Sequence, residues 1–444
     1  MPVFTRIMET SEYGEYTIFQ TWYNILILIV TLNVQSEIFN KGLIEHSENK
    51  DHYMSNQAGL LIILTVFFSI IYLLFHQLIN KLTGLSTFLM LVMICEILAN
   101  ALVTLWSVRR RFDFEYSKIV GLTLITSVLN PIIGIAAVTL ATDKVQARIL
   151  SNAAVPIIVS IGIILSVFKK EKLFDNFKWW KNTIRVSIPL LPHYLSLVLL
   201  NQFDKLMINS FIGTEETAIY SVAHSVGLLM TIINTSINNS FVPWSYGRIK
   251  REDSTEIKCI SSILLGIVVL ANICLIWFAP EVISILAGSQ YHDAIWCLVP
   301  IAVSVFFFFV YTLFVDIEIY YGATKYIAIA SICAGCINLL LNYIFIPIYG
   351  YYAAGYTTLF SYFITMIMHY VFLRLTLRIH NYSGHLFDGK AIAVWSIVIV
   401  VCAILAMNLY DYILIRAIIT CLTCALIIWK RRMIFSVFFE MKKR

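Results

Sequence analysis

Long apolar stretches separated by short polar connections occupy the chain from about residue 15 to about residue 429. A helix that crosses a bilayer needs about 20 mostly apolar residues. On this criterion the pattern predicts about thirteen spans, roughly 15–39, 58–79, 84–107, 118–141, 145–168, 184–210, 216–240, 258–286, 294–317, 325–347, 352–374, 390–409 and 412–429. Most connections are short, which favours antiparallel neighbours in a helical bundle. The predicted fold is therefore all-α, a polytopic membrane protein.

The composition agrees with a membrane location. The chain has 444 residues, of which 59% are hydrophobic and 13% are charged, whereas soluble domains carry about 25% charged residues. No zinc-protease, nucleophile-elbow or phosphate-loop motif is present, and the connections on one side are too short for a catalytic domain. We therefore expect a protein that is not an enzyme, binds no cofactor or metal and does not bind nucleic acid.

The basic residues predict the orientation. Most of the 32 Lys and Arg residues lie on alternate connections and in the C-terminal tail. Lys and Arg are enriched on the cytoplasmic side of membrane proteins, so these connections and the tail are expected there and Met1 outside. The segment 169–183, KKEKLFDNFKWWKNT, alternates lysines with aromatic residues. It predicts a short interfacial helix that links two halves on the cytoplasmic side.

A weak internal repeat divides the chain. At an offset of 204 residues Tyr16 aligns with Tyr220, and at 208 Asn130 aligns with Asn338. Six predicted spans separate the matched segments, so the two halves run parallel through the membrane, an arrangement that is common in transporters. The expected organisation is an N-terminal lobe, a linker, a C-terminal lobe, two extra helices and a basic tail, at 1–168, 169–183, 184–377, 390–430 and 431–444.

The first copy of the repeat has only a short stub where the second copy has the apolar span 184–210. We therefore expect the first helix to be truncated, either truly or through a late assignment of the start codon. Residues 1–8 would be its outer end.

Polar residues follow one face of the predicted span 216–240. Their spacing of three or four residues is that of a single helix face, and they are Tyr220, His224, Gly227, Thr231, Asn234 and Asn238. The repeat-related span 15–39 carries a shorter stripe that includes Gln20 and Asn24. We expect two such stripes to line a wet central cleft. The alternative is a pair of helices in direct contact through small polar side chains.

Basic residues within spans are candidate contacts for an anionic substrate. Lys205 shares a helix face with Asn201 and Asn209, and a charge at this depth is costly unless it has a function or a partner. The alternative is a structural ion pair. Arg6 lies near the outer surface and is either a substrate contact or an anchor that reaches the lipid headgroups.

Two acidic residues within spans are candidates for ion coupling. Glu96 and Asp204 lie deep in the predicted spans 84–107 and 184–210, and membrane-embedded carboxylates often carry protons in transporters. The alternative for Glu96 is a carboxyl group that only joins two helices by hydrogen bonds.

Two segments show a family resemblance. PVFTRIMETSEYGEY at 2–16 and DKLMINSFIGTEETAIYSVAHSVG at 204–227 resemble the segments that open the two halves of polysaccharide and O-antigen flippases, which move lipid-linked oligosaccharides. These flippases belong to the superfamily that includes the multidrug and toxin extruders (MATE proteins), and the resemblance extends over essentially the whole chain.

The resemblance implies two six-helix lobes plus two helices and a location in the bacterial plasma membrane. It implies that an undecaprenyl-pyrophosphate-linked oligosaccharide is moved from the inner to the outer leaflet by alternating access, for capsule, exopolysaccharide or O-antigen. The pyrophosphate would enter a cationic cavity, and Lys205 and Arg6 lie in matching segments. The chain departs from the family in lacking most of the first helix, which normally lines that cavity.

Two alternatives remain open at this stage. The same fold serves cation-coupled multidrug antiporters, and a chain without a complete first helix fits a non-transporting partner in a polysaccharide assembly complex. Membrane lipid, a polysaccharide polymerase and a chain-length regulator are the further partners that the flippase interpretation suggests. The sugar composition, the coupling ion and the oligomeric state are not specified by the sequence.

Overall fold

The computed structural model describes residues 2–168, 176–251, 254–382 and 384–429. Within these residues the secondary structure is helical, with no strand. Ten helices of this described part are long and apolar enough to cross a membrane. The predicted class, a polytopic all-α membrane protein, is confirmed.

The chain forms two compact units. The N unit is Val3–Phe203, and the C unit is Asp204–Arg444 together with Met1–Pro2. The division falls within one long helix, α8 (Phe177–Phe211). The division of the lobes at the linker 169–183 stays a prediction. α8 begins inside that segment, at Phe177, and continues without a break. Residues 169–175 lie outside the described residues, so the interfacial helix stays a prediction.

The helices of the N unit that precede α8 are α1 (Phe4–Ile7), α2 (Thr10–Thr31), α3 (Glu37–Glu45), α4 (Lys50–Thr83), α5 (Thr87–Phe112), α6 (Tyr116–Leu140) and α7 (Lys144–Phe168). α5 packs against α2, α4 and α7, and α6 packs against α7. The start of α8 is fixed to this unit because the buried Trp180 indole donates a 2.8 Å hydrogen bond to the carbonyl oxygen of Asn56.

The helices of the C unit that follow α8 are α9 (Thr214–Gly227), α10 (Leu229–Lys250), α11 (Ser254–Trp277), α12 (Ala279–Leu286), α13 (Ala294–Tyr320), α14 (Thr324–Tyr349), α15 (Tyr352–Ile379), α16 (Gly389–Asn408) and α17 (Ile413–Trp429). α13 is apolar all round until its last two turns, as a helix in a protein interior is. It packs against α9, α10, α11, α15 and α16 and forms the centre of the unit.

Several predicted spans end or break differently in the structure, and three of them illustrate the differences. The span 15–39 stops at Thr31 because Leu32 and Asn33 adopt left-handed backbone angles, with φ of 49° and 52°. The span 216–240 is interrupted at Leu228, and the span 294–317 continues to Tyr320. Hydropathy locates an apolar segment but does not reveal a backbone turn inside it.

Candidate functional site

A buried carboxylate joins four helices in the predicted outer half of the C unit. Asp204 is 1% exposed. It accepts hydrogen bonds from the Tyr220 hydroxyl at 2.6 Å, the Thr358 hydroxyl at 2.9 Å and the Asn342 amide at 2.6 Å. A second amide, Asn338, donates to the Thr358 hydroxyl oxygen at 3.3 Å. We call these five residues the Asp204 cluster. They join α8, α9, α14 and α15 through one acid.

The N unit contains a smaller cluster of the same kind. Glu96 is 2% exposed and accepts a 2.8 Å hydrogen bond from the Asn152 amide. Asn152 in turn accepts from the Asn130 amide at 3.3 Å. The second carboxylate oxygen of Glu96 is buried without a hydrogen-bond partner among the described residues. This cluster joins α5, α6 and α7.

The two clusters contain one of the residue pairs that the internal repeat predicted. Asn130 in the N unit and Asn338 in the C unit each end a chain of amide and hydroxyl groups that leads to a buried acid. At about 1.5 Å per residue, both asparagines lie about 15 Å from the predicted outer ends of their helices. The acids themselves are not repeat-related, since Glu96 is on α5 and Asp204 on α8.

Arg148 is a cation that the sequence analysis did not select. Its guanidinium lies 3.9 Å from the Phe4 ring centroid and 5.0 Å from that of Tyr16. A methyl group at Gly134 would lie 2.8 Å from its Nη1 atom, so only glycine admits this approach. Nε and Nη1 are buried with no hydrogen-bond partner among the described residues. A cation held on aromatic faces with free donors can bind an anion.

The predicted polar stripe of span 216–240 does not form one open surface. Tyr220, His224 and Asn234 are buried inside the C unit, at 0%, 6% and 2% exposure. The Asn234 amide donates to the carbonyl oxygen of Val305 on α13 at 3.1 Å, and Gly227 faces the same helix. Gly227 and Asn234 therefore pack against α13, and Tyr220 and His224 are buried within the unit. The expectation of a cleft lining is corrected for these residues. Of the stripe, only Thr231 and Asn238 are partly exposed.

A different face of α10 exposes polar groups. Its exposed residues include Thr235, Ser236, Asn239 and Ser240, with Asn238 half-buried beside them. The Asn238 side-chain oxygen is a buried acceptor without a partner among the described residues. Amides and hydroxyls exposed on a membrane helix are unfavourable against lipid tails. This face was not recognised from the sequence, where the burial of the neighbouring face could not be known.

The other predicted contact residues are partly accessible. Lys205, Asn201 and Asn209 are half-buried on α8, as Gln20 and Asn24 are on α2. Lys205 interacts electrostatically with Asp204 and His224. The side-chain nitrogen of Gln20 is buried without a hydrogen-bond partner among the described residues.

Arg6 is exposed on the short helix α1. It belongs to the same helix as Phe4, the ring that packs on Arg148.

Two further buried acids lie near the C-terminal end of α13. Glu318 is 0% exposed and lies 2.9 Å from the Nδ1 atom of His369, which is 1% exposed. Asp316 is 8% exposed, and its backbone oxygen accepts a 2.9 Å hydrogen bond from the Tyr246 hydroxyl. The predicted span 294–317 excludes Glu318 and has Asp316 in its last turn, and neither acid was selected from the sequence.

No group of three or more His, Cys, Asp or Glu residues in the described part of the chain is arranged to hold a metal ion. The Asp204 cluster instead offers one carboxylate among amide and hydroxyl groups. Such a set of hard oxygen atoms suits a proton or a light monovalent cation better than a transition metal.

Comparison with known proteins gives a family and a fold. A family model described as polysaccharide biosynthesis protein matches residues 1–247. The Lsg locus putative protein 1 of Haemophilus influenzae is 23% identical over 148 residues. That match covers 33% of this chain and 37% of the relative, so it spans only about a third of each protein.

Three solved structures share the fold. The lipid II flippase MurJ, in an inward closed conformation, matches with a TM-score of 0.67 at 15% identity and covers 97% of this chain and 98% of its own. An inward-facing multidrug resistance MATE family transporter of the MOP superfamily matches with a TM-score of 0.66 at 15% identity and covers 86% of this chain and 98% of its own. A MOP superfamily transporter from Pyrococcus furiosus matches with a TM-score of 0.57 at 15% identity and covers 85% of this chain and 90% of its own.

These matches confirm the MATE-like fold that the sequence predicted and a multi-pass protein of the bacterial plasma membrane. The relatives are named as transporters and a flippase, in agreement with the expectation that the chain is not an enzyme. At 15% identity, the structural likeness extends to the fold alone.

Proposed function

Because the chain belongs to the polysaccharide biosynthesis protein family, we propose that it moves a lipid-linked oligosaccharide across the membrane by alternating access. The substrate is a repeat unit on undecaprenyl pyrophosphate, carried from the inner to the outer leaflet for capsule, exopolysaccharide or O-antigen synthesis. The fold that the chain shares with a protein named lipid II flippase supports a lipid-linked substrate.

The observation that carries the proposal is the half-buried lysine Lys205 on α8, within the predicted span 184–210. By the helical rise it lies about 9 Å from the predicted outer end of α8. Asn201 and Asn209 lie one turn away on either side of it. A cation flanked by amide groups offers a charge-assisted hydrogen bond to a phosphate oxygen. In the N unit, Arg148 is a second candidate for this contact, since its Nε and Nη1 atoms have no hydrogen-bond partner in the described part of the chain.

The sugar portion requires contacts of another kind. Sugar hydroxyls both donate and accept hydrogen bonds, and exposed amide and hydroxyl side chains do the same. In the C unit the exposed face of α10 provides them at Thr235 and Asn239. In the N unit, Gln20 and Asn24 on α2 are half-buried candidates. Arg6 is a candidate for a contact nearer the outer surface.

Asp204 and Glu96 are proposed as the ion-coupling residues. A buried carboxylate is costly unless it is neutralised by a proton or a cation, or fully hydrogen-bonded. Asp204 receives three hydrogen bonds from three different helices. A cation or proton bound there would change how these helices are held together. Such a bistable element is what coupling requires.

The test uses a strain that lacks the chromosomal copy and carries plasmid-borne variants. Lys205→Ala is expected to abolish export of surface polysaccharide, with lipid-linked oligosaccharide accumulating in the inner membrane, while Lys205→Arg retains part of the export. Lys81→Ala is the control, since Lys81 is an exposed lysine in the last turn of α4. Wild-type export by Lys205→Ala at normal protein levels would remove Lys205 from the mechanism.

A cation-coupled drug antiporter is the second candidate. The buried acids Glu96, Asp204 and Glu318 favour it, as does the fold shared with a multidrug transporter. Efflux of a cationic dye from the same strains separates the two functions. If the protein is a flippase, its deletion leaves dye efflux unchanged and removes polysaccharide from the cell surface. If it is an antiporter, its deletion reduces dye efflux and leaves the surface polysaccharide in place. A non-transporting partner would need neither Lys205 nor the buried acids for export.

A further inference from the structure

A cavity of about 480 Å³ lies at the predicted cytoplasmic end of α15, within the C unit. It is far from the Asp204 cluster, which involves the other end of the same helix. Its polar lining comes from Tyr370, Arg374, Arg378, Asn381 and Tyr382. No acidic residue is among the residues that line it in the described part of the chain.

The sequence builds this cavity from one helix face and a returning loop. Tyr370, Arg374 and Arg378 are spaced by four residues, which places them on one face of α15. The chain then turns at Asn381, where φ is 55°. The amide of Tyr382 bonds back to the carbonyl oxygen of Leu377 at 2.9 Å. The loop therefore folds back along the end of the helix and encloses the space beside the two arginines.

The charge of the cavity is positive and uncompensated. Both arginines are exposed, and neither is ion-paired with a described residue; the guanidinium of Arg374 contacts the His385 ring instead. Two guanidinium groups one helical turn apart can share the oxygens of one phosphate. Nearby Tyr and Asn side chains supply further hydrogen-bond donors. The chemistry therefore favours a phosphate-bearing ligand.

The depth of the cavity and its apolar flank indicate where that phosphate comes from. Arg374 is 22 residues from the start of α15, about 33 Å along the helix, and so lies near the headgroup level of a bilayer with a core of about 30 Å. Val371 and Leu375 also line the cavity, and they are 47% and 38% exposed. These apolar side chains suit an acyl chain that continues from the phosphate towards the membrane interior.

We propose that this cavity binds the phosphate headgroup of an anionic phospholipid from the cytoplasmic leaflet. The ligand is a glycerophospholipid with a net negative headgroup, of the phosphatidylglycerol or cardiolipin class. Basic pockets between membrane helices on the cytoplasmic side are suited to such headgroups. Bound there, the lipid fixes the loop after α15 against the helix, independently of the transported substrate.

The experiment measures lipid binding to the purified full-length protein. Native mass spectrometry counts bound phosphatidylglycerol against bound phosphatidylcholine, and thermal unfolding in detergent follows the stabilisation that each lipid gives. Arg374→Gln/Arg378→Gln is the test variant, and each single variant is measured as well in case the double variant folds poorly. Lys250→Ala/Arg251→Ala is the control, because it removes the same charge from exposed residues at the end of α10, outside the cavity.

The wild type and the control are expected to bind phosphatidylglycerol preferentially. At about 1 kcal/mol for each basic residue, loss of both arginines weakens that binding about 30-fold, and each single loss weakens it about fivefold. Unchanged preference in the double variant and in both single variants would overturn the proposal. Equal stabilisation by inorganic phosphate alone would identify a site for soluble anions and overturn the assignment to a phospholipid.

Discussion

Replacement of Asp204 by alanine tests whether the buried cluster holds the C unit together. The change removes the acceptor of three hydrogen bonds and leaves the donors of Tyr220, Thr358 and Asn342 inside the protein. An unsatisfied buried donor costs about 1–3 kcal/mol. The protein is also relieved of burying a carboxylate, which offsets part of this cost. We therefore expect the free energy of unfolding to fall by about 3–5 kcal/mol.

Two milder variants separate the effect of the charge of Asp204 from the effect of a single hydrogen bond to it. Asp204→Asn keeps one acceptor oxygen for Asn342, and its new amide donates to the hydroxyl oxygens of Tyr220 and Thr358, which can accept. It is expected to cost about 1–2 kcal/mol, since only the charge assistance of the bonds is lost. Thr358→Val removes one bond to the carboxylate and the acceptor of the weaker bond from Asn338, and is expected to cost about 1.5–3 kcal/mol.

The assay is unfolding of the purified protein in detergent, followed through the fluorescence of its nine tryptophans. Thr235→Val is the control for Thr358→Val, since Thr235 is exposed and its hydroxyl bonds only within its own helix, to Thr231. The expected order of destabilisation is Asp204→Ala above both Thr358→Val and Asp204→Asn, with Thr235→Val close to the wild type. Equal stability of Asp204→Ala and the control would refute the structural role of the cluster.

Three further predictions concern other contacts of the described residues. Arg416→Ala is expected to lower the free energy of unfolding by about 3–5 kcal/mol, because Arg416 is 4% exposed and binds both carboxylate oxygens of Glu281 at 2.7 and 2.8 Å. The double variant with Glu281→Ala should lose less stability than the sum of the two single changes. Simple additivity would contradict an interaction between the two residues. Gly134→Ala is expected to destabilise the protein by about 1–3 kcal/mol, because its methyl group would lie 2.8 Å from Arg148 and 2.9 Å from the Phe4 ring. Gly121→Ala on the same helix should have no such effect, since no atom lies within 4 Å of its methyl group. Equal melting temperatures of the two variants would contradict the contact. Asp113 lies beyond the end of its helix, and hydrogen bonds from a lysine and an arginine hold the pKa of its carboxyl below the usual 3.8. The stability that it contributes is therefore present above pH 3.8 and lost as the pH falls through the lower folded-state pKa. Asp113→Asn should reduce the melting temperature at neutral pH and have a diminishing effect under acid conditions, and a pH-independent difference would contradict this origin.

The helices were predictable because lipid imposes a length and a composition on every span. Their internal breaks were not. Leu32 is an ordinary apolar residue, yet it takes a left-handed backbone angle where α2 ends. The end of α13 was misplaced for a related reason. Glu318 lowers the local hydropathy, although the structure buries it against His369 on another helix.

The polar stripe shows the limit of periodicity. Spacing correctly places Tyr220, His224 and Asn234 on one side of their span, but a side that faces a neighbouring helix gives the same pattern as one that faces water. Only the bonds to Asp204 and to the Val305 backbone distinguish the two. The internal repeat was more informative, since the match of Asn130 with Asn338 identified members of both buried clusters.

Arg148 could not be recognised from its neighbours along the chain. Its position near the start of α7 is typical of an arginine that reaches the lipid headgroups. The contacts that hold it come from α1, α2 and α6, through Phe4, Tyr16 and Gly134. Long-range packing of this kind leaves no local signal in one sequence.

The most direct test of the proposed function is the reconstitution of the purified protein in vesicles that carry undecaprenyl-pyrophosphate-linked oligosaccharide with a labelled sugar. A membrane-impermeant enzyme or lectin outside the vesicles reports how much of the lipid is exposed. We predict that the wild type makes nearly all of the labelled lipid accessible over time, and that Lys205→Ala leaves the inner leaflet fraction protected. Protection that is equal in vesicles with and without the wild-type protein would contradict the flippase function.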